Sequence, residues 1–190
     1  SERHMMQEMF TSAARPFYHS ADILELKAIA PEIYIPFVMG HFEKRNRSIS
    51  AENVEKAYAL FQGHTYYIQK TFNESFADTS EGEECTLEII QAAIDNMIAS
   101  NDTIFREILS NIPEKQKELL YAIAKDGEAE HITSADFIKR HSLTSASSVQ
   151  SAVKKLLERD IITEINKVFS VTDRLSAMWI NKLYGTVLYL

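Results

Sequence analysis

The chain has a single cysteine, Cys85, so no internal disulfide can form, and neither a cysteine-rich zinc site nor a redox pair can be assembled. Only five glycines and four prolines interrupt its 190 residues, and the stretches between them repeat apolar residues at helical more often than alternating spacing. Helices should therefore dominate, with strands few and short. No apolar run approaches the roughly 20 residues of a membrane-spanning helix, and the longest, Ile33 to Met39, sits in an amphipathic segment. The N-terminus lacks a basic patch leading into an apolar core with a small-residue cleavage site, so no secretory signal is read. The expectation is a cytoplasmic protein without a membrane partner.

Catalytic signatures are missing as well. No Gly-x-x-x-x-Gly-Lys-Ser/Thr run is present to wrap backbone amides around phosphates, and no apolar strand ends in Asp-Asp or Asp-Glu to hold magnesium. His19, His41, His64, His131 and His141 are scattered without the i, i+4 or cysteine-linked spacing of a metal site. Asp78, Glu81, Glu83 and Glu84 cluster, but without the alternating positions and glycine of a calcium loop. No Gly-x-Ser-x-Gly elbow or Cys-His arrangement appears. Tyr66, Tyr67 and Phe72, at helical spacing, read as core. No catalytic residue, metal or cofactor is expected in this chain, and ATP turnover by it is not expected.

What remains is an ordinary soluble composition, 45% apolar and 25% charged. The net charge of −7 is uneven. From Pro113 onward there are 11 basic against 10 acidic residues, whereas up to Ile112 there are 9 against 17. The acidic first part should repel nucleic acid, and the nearly neutral second part permits DNA contact without demanding it.

Ser1 to Met5 (Ser-Glu-Arg-His-Met) reads as a cloning remnant, with native sequence from Met5 or Met6. A short strand is expected at Ile23 to Leu26. Pro31 suits the first position of a helix carrying Tyr34, Phe37, Val38 and Phe42, which Pro36 should kink or delay. Ser50 should cap a second helix that stops at Gly63, and a third should run from about Thr65 to Phe76. After an acidic loop, Thr86 should cap a long helix through Leu87, Ile90, Ile94, Met97 and Ile98, which either ends there or continues past Ser100-Asn101-Asp102 as far as Leu109.

Beyond Pro113 the element order becomes more specific. A helix runs from Pro113 to Gly127. A short one follows, capped by a Thr133/Asp136 pair, and after His141-Ser142-Leu143-Thr144 a longer one opens at Ser145 with Val149, Ala152, Val153, Leu156 and Leu157 on one stripe. Ile161–Ile165 and Val168–Val171 around Asn166-Lys167 predict a hairpin, and a closing helix is expected from Asp173. This order predicts a winged helix. Its second helix would offer Ser147, Ser148, Gln150, Ser151 and Lys154 to base edges or to a protein partner. Lys139, Arg140, Lys155 and Lys167 would be the candidates for phosphates.

Several of these segments carry a family resemblance. Ala14-Arg15-Pro16-Phe17-Tyr18-His19-Ser20, Ile23-Leu24-Glu25-Leu26 and Gly63-His64-Thr65-Tyr66-Tyr67-Ile68-Gln69 resemble the region after the nucleotide core in archaeal-type P-loop ATPases of the AAA+/STAND group. Ser145-Ala146-Ser147-Ser148-Val149-Gln150 and the helix after it are similar to that family's C-terminal winged helix. The resemblance implies a mainly α chain lacking the ATPase core. Residues 1–5 would be the remnant, 6–30 the tail of the core, 31–111 a helical lid with connecting helix, and 112–190 the winged-helix domain. It further implies that Arg15, Gly63, His64 and Thr65 lie near nucleotide in the parent, with Thr65 in place of the family's usual proline. The parent would use ATP and magnesium. The lid would pack on the core in cis, and the winged helix would meet DNA or a protein. The competing expectation is a free-standing winged-helix regulator with a helical ligand-binding or dimerisation domain.

Overall fold

The computed structural model describes Ser20 and residues 27–183. The strand expected at Ile23 to Leu26 lies outside the described residues. The chain divides into two compact units between Thr103 and Ile104, so the connecting helix goes with the C-terminal unit.

The first unit holds helices α1 (Pro31–Glu43), α2 (Ala51–Leu60), α3 (Thr65–Asp78) and α4 (Leu87–Ser100), with two-residue strands β1 (Ser48–Ile49) and β2 (Glu84–Cys85). Helix α1 starts at Pro31 and passes unbroken through Pro36, so its start is not delayed. Pro36 forfeits one backbone donor on an exposed side, while Tyr34, Val38 and Phe42 lock the opposite side into the core. Ser50 caps α2 as expected, its Oγ accepting from Asn53 N at 3.2 Å. Strands β1 and β2 pair in parallel, Ser48 with Glu84 and Ile49 with Cys85. The Asn53 amide donates to the Cys85 carbonyl at 3.3 Å and fastens α2 to that pair. Phe61, Ile68, Ile90, Ile94 and Met97 fill the centre.

One detail departs from the sequence reading and one settles it. Thr86 occupies the N-cap position of α4 but makes no side-chain cap bond to the backbone. The long helix does not continue to Leu109 but breaks at Asn101, whose side chain turns back to donate to the Met97 carbonyl at 2.8 Å. Asparagine competes for backbone groups in this way and so ends helices.

The second unit begins within the first turn of α5 (Asp102–Ser110) and runs through α6 (Glu114–Asp126), α7 (Ala135–Arg140), α8 (Ala146–Glu158), β3 (Ile162–Ile165), β4 (Val168–Val171) and α9 (Arg174–Leu183). Helix α6 stops at Gly127, whose φ of +74° a side chain would resist. The α7 cap is Ser134 rather than Thr133, its Oγ accepting from Phe137 N at 3.2 Å. Ser145 caps α8 as expected. The hairpin pairs Ile162 with Val171 through Ile165 with Val168, and Asn166 and Lys167 both have positive φ, 53° and 68°. That is the mirror-image turn whose twist matches paired strands. Ala129 pairs with Phe169 on the other side of β4, exchanging backbone bonds of 2.8 and 2.9 Å. Asp173 Oδ1 accepts from Leu175 N and Ser176 N to start α9, and the Asn181 amide donates to the Ala124 carbonyl at 2.9 Å, tying α9 to α6. Leu119, Ile123, Phe137, Leu156, Leu175 and Trp179 form this unit's core.

Candidate functional site

Helix α8 is amphipathic because Val149, Ala152 and Leu156 bury while the residues between them do not. Its outward stripe is Ser147, Gln150, Ser151 and Lys154, all exposed, at i, i+3, i+4 and i+7. These four sequence-predicted residues therefore share one face. Ser148 belongs elsewhere. It is half-buried, and its N–H donates to the Ser145 cap at 3.2 Å. Ser147 Oγ stands 3.1 Å from Ser145 Oγ, so the cap also steadies the first polar group of the stripe.

The predicted cations separate into two sets. Lys155 donates to Glu158 at 2.7 Å, and Arg140 donates to Asp126 at 2.8 Å while lying over the Phe137 ring. The hydrogen bond from Lys155, helped by the charges of Lys155 and Lys154, holds the Glu158 carboxyl below its ordinary value. Lys139, Lys154 and Lys167 are exposed, and among the described residues none of them forms an ion pair. Lys154 extends the α8 stripe, Lys139 sits in the last turn of α7, and Lys167 is at the hairpin tip.

Local contacts fix the turn between α7 and α8. The buried His141 ring packs 4.5 Å from Phe137, with Nε2 3.1 Å from Asp126 Oδ1, while Ser142 takes φ +54°. Lys115 Nζ donates to Thr144 Oγ1 at 2.8 Å, bracing the turn against α6. Sequence reasoning missed the hairpin's Ile165, which is 66% exposed beside the tip. Its place on the outer register of β3, opposite Val168, was the available signal.

In the first unit, Gly63 has a structural task. Its φ is +72°, and a Cβ there would meet Tyr58 Oη at 2.5 Å and Ala28 Cβ at 2.8 Å. Tyr58 Oη in turn donates to the Ile29 carbonyl at 2.7 Å, so the glycine admits a clamp on the chain entering α1. His64 takes the N-cap position of α3 without a side-chain cap bond, and its ring lies 4.7 Å from Tyr67. Thr65 is the first residue of α3. Arg15 lies outside the described residues. Tyr66, expected in the core, is 61% exposed, whereas Phe72 is buried as expected. No group of three or more potential metal ligands occurs among the described residues, and none of their helices is long and apolar enough to cross a membrane.

Residues 103–182 match a family described as "Probable winged helix domain". With the helix order and hairpin above, this makes the C-terminal part of a mainly helical chain a winged-helix domain, as the sequence predicts. Among solved structures, a Walker-type ATPase of Pyrococcus abyssi has a similar fold, with a TM-score of 0.64 at 14% identity over 94% of this chain and 49% of that one. The chain thus spans about half the length of the ATPase it matches. No protein with a curated description matches the chain.

Proposed function

We propose that the chain is the non-catalytic, regulatory part of an AAA+/STAND-type P-loop ATPase, with a helical lid that reports nucleotide state and a winged helix that docks on duplex DNA. The observation that carries the ATPase half is the fold likeness to a Walker-type ATPase over 94% of the chain, in a sequence without a phosphate-binding loop of its own. In this reading ATP and magnesium belong to a core supplied in cis, and the turn Gly63-His64-Thr65 faces the nucleotide. Arg15 would serve the same nucleotide from the segment before the lid. The upstream reading frame tests it. A Gly-x-x-x-x-Gly-Lys-Ser/Thr run encoded there supports the lid; a frame that opens at Met5 or Met6 sinks it.

Support for DNA comes from the α8 stripe of Ser147, Gln150, Ser151 and Lys154, and from Lys139 at the end of α7 and Lys167 at the hairpin tip, cations that like Lys154 have no ion-pair partner among the described residues. Small polar side chains early in such a helix suit base edges, and the lysines suit phosphates. If three lysines each displace a counterion, the slope of log Kobs against log salt is about −3. Anisotropy titration of duplex DNA from low salt upward measures it, and Lys154→Ala should flatten the slope by about one. A protein partner is the second reading, favoured by Ile165 at the hairpin tip and by the nearly neutral charge of the unit. Absence of DNA binding at low salt selects it.

A further inference from the structure

A groove of 660 Å³ opens in the first unit between α1 and α3. Its walls are aromatic. Tyr34, Phe42 and Phe72 form a buried floor, and Phe37 and Phe76 stand at the sides. The rings are in ordered contact: Tyr34 and Phe72 centroids are 6.3 Å apart, and Phe42 meets Phe76 edge-on at 5.2 Å. Phe37, although 54% exposed, is held edge-on to His41 at 4.6 Å. The side opposite is also braced, because Arg47 donates to the Thr79 carbonyl at 2.6 Å and lies 4.3 Å over the Phe76 ring.

The polar groups at the rim are unlike their surroundings. From Lys27 to Thr103 there are six Lys and Arg against twelve Asp and Glu, yet three of those six fall in Lys44-Arg45-Asn46-Arg47, where α1 ends. Lys44 and Arg45 line the groove, are exposed, and among the described residues have no carboxylate partner. On the facing helix the amides of Gln69 and Asn73 line it too, and no hydrogen bond engages them among the described residues. Neighbouring Glu43 and Glu74 are not part of the lining.

We propose that this groove binds a small planar aromatic anion. The volume falls in the range of small-molecule sites, roughly 300 to 1,000 Å³, which are mostly apolar with a few convergent polar groups. Aromatic walls favour a flat ring, which gains edge-to-face contacts there. Lys44 and Arg45 would meet its negative group with charge-assisted bonds, and Gln69 and Asn73 can donate to it from across the groove. A cation would face two like charges at the rim, and a neutral hydrocarbon would leave the four polar groups unused. The proposal is independent of the ATPase reading and also suits a regulator that senses a ligand through its helical unit.

The test uses two dyes with the same rings on the full chain. Anilinonaphthalene sulfonate carries the anion; N-phenyl-1-naphthylamine lacks it. Fluorescence and calorimetric titration should show one sulfonate dye per chain, bound about tenfold or more tightly than the neutral dye, the step that one charge-assisted bond supplies. The double variant Lys44→Glu/Arg45→Glu should abolish that preference without changing the neutral dye's affinity, and its melting should match the parent because both side chains are exposed. Phe37→Ala should weaken both dyes. Equal affinity for the two dyes in the parent chain, or sulfonate binding unmoved by charge reversal, overturns the proposal.

Discussion

Gly63 shows how one residue can answer to geometry before it answers to chemistry. Its left-handed backbone and the 2.5 Å approach of Tyr58 Oη to the place a Cβ would take leave no room for alanine. Gly63→Ala should therefore cost about 2 to 4 kcal/mol of stability, by combining backbone strain with overpacking, as denaturant unfolding would measure. A change below half a kilocalorie would mean that neither the positive φ nor the contacts with Tyr58 and Ala28 constrain this position. Tyr34 carries a different kind of constraint. Burial pushes its phenol from 10.0 up to about 12. The folded state thus holds this proton more tightly than the unfolded chain, so its stabilising effect is whole below pH 10 and is lost as pH rises towards 12. Thermal melts between those limits should show a fall that is smaller in Tyr34→Phe, the remainder coming from the other tyrosines and the lysines. The sequence placed Tyr34 and Phe72 on the inward sides of helices by spacing alone, yet the same spacing put Tyr66 inside, where the structure exposes it. Periodicity marks a face; it does not say whether anything covers that face.

At the scale of elements, the winged helix was the more legible unit because its boundaries are written in side chains. Ser145 and Asp173 accept backbone donors at helix starts, Gly127 ends α6 with positive φ, and Asn166-Lys167 closes the hairpin. The parallel β1–β2 pair was illegible because two residues per strand carry no alternation to read. The break at Asn101 was hidden for another reason. Apolar residues keep helical spacing on both sides, and the interruption lies in side chains that turn back on the ladder, Ser100 to the Asn96 carbonyl and Asn101 to that of Met97. The paired state of Arg140 was also hidden, since Asp126 is 14 residues away and meets it only through the fold, whereas the Lys155–Glu158 pair is local to one helix. The hairpin turn yields a prediction with two signs. Lys167 sits at φ 68°, a position glycine prefers. Lys167→Gly should raise stability by about 0.5 to 1 kcal/mol while weakening DNA binding and flattening its salt slope. A loss of stability would show that the lysine contributes packing at the tip.

For the molecule as a whole, each unit has its own core and its own charge. Trp179 is the protein's one tryptophan, and it is buried against Phe105 with ring centroids 5.6 Å apart. It therefore reports on the core of the C-terminal unit. Residues 102–183 expressed by themselves should keep blue-shifted tryptophan emission and melt in one cooperative step. Red-shifted emission with no transition would show that this core depends on the rest of the chain. The groove between α1 and α3 was invisible at this scale until the fold joined two segments some thirty residues apart. Its aromatic members Tyr34, Phe37, Phe42 and Phe72 read in the sequence only as residues of helices. The hairpin has a last consequence, for self-assembly. Strand β4 is flanked on both sides at Phe169, by Glu164 and by Ala129, which leaves β3 as the rim of the sheet among the described residues. Another molecule's strand seeking to add there would confront the exposed carboxylate of Glu164. A charge at that margin should keep concentrated solutions of the protein free of fibrils.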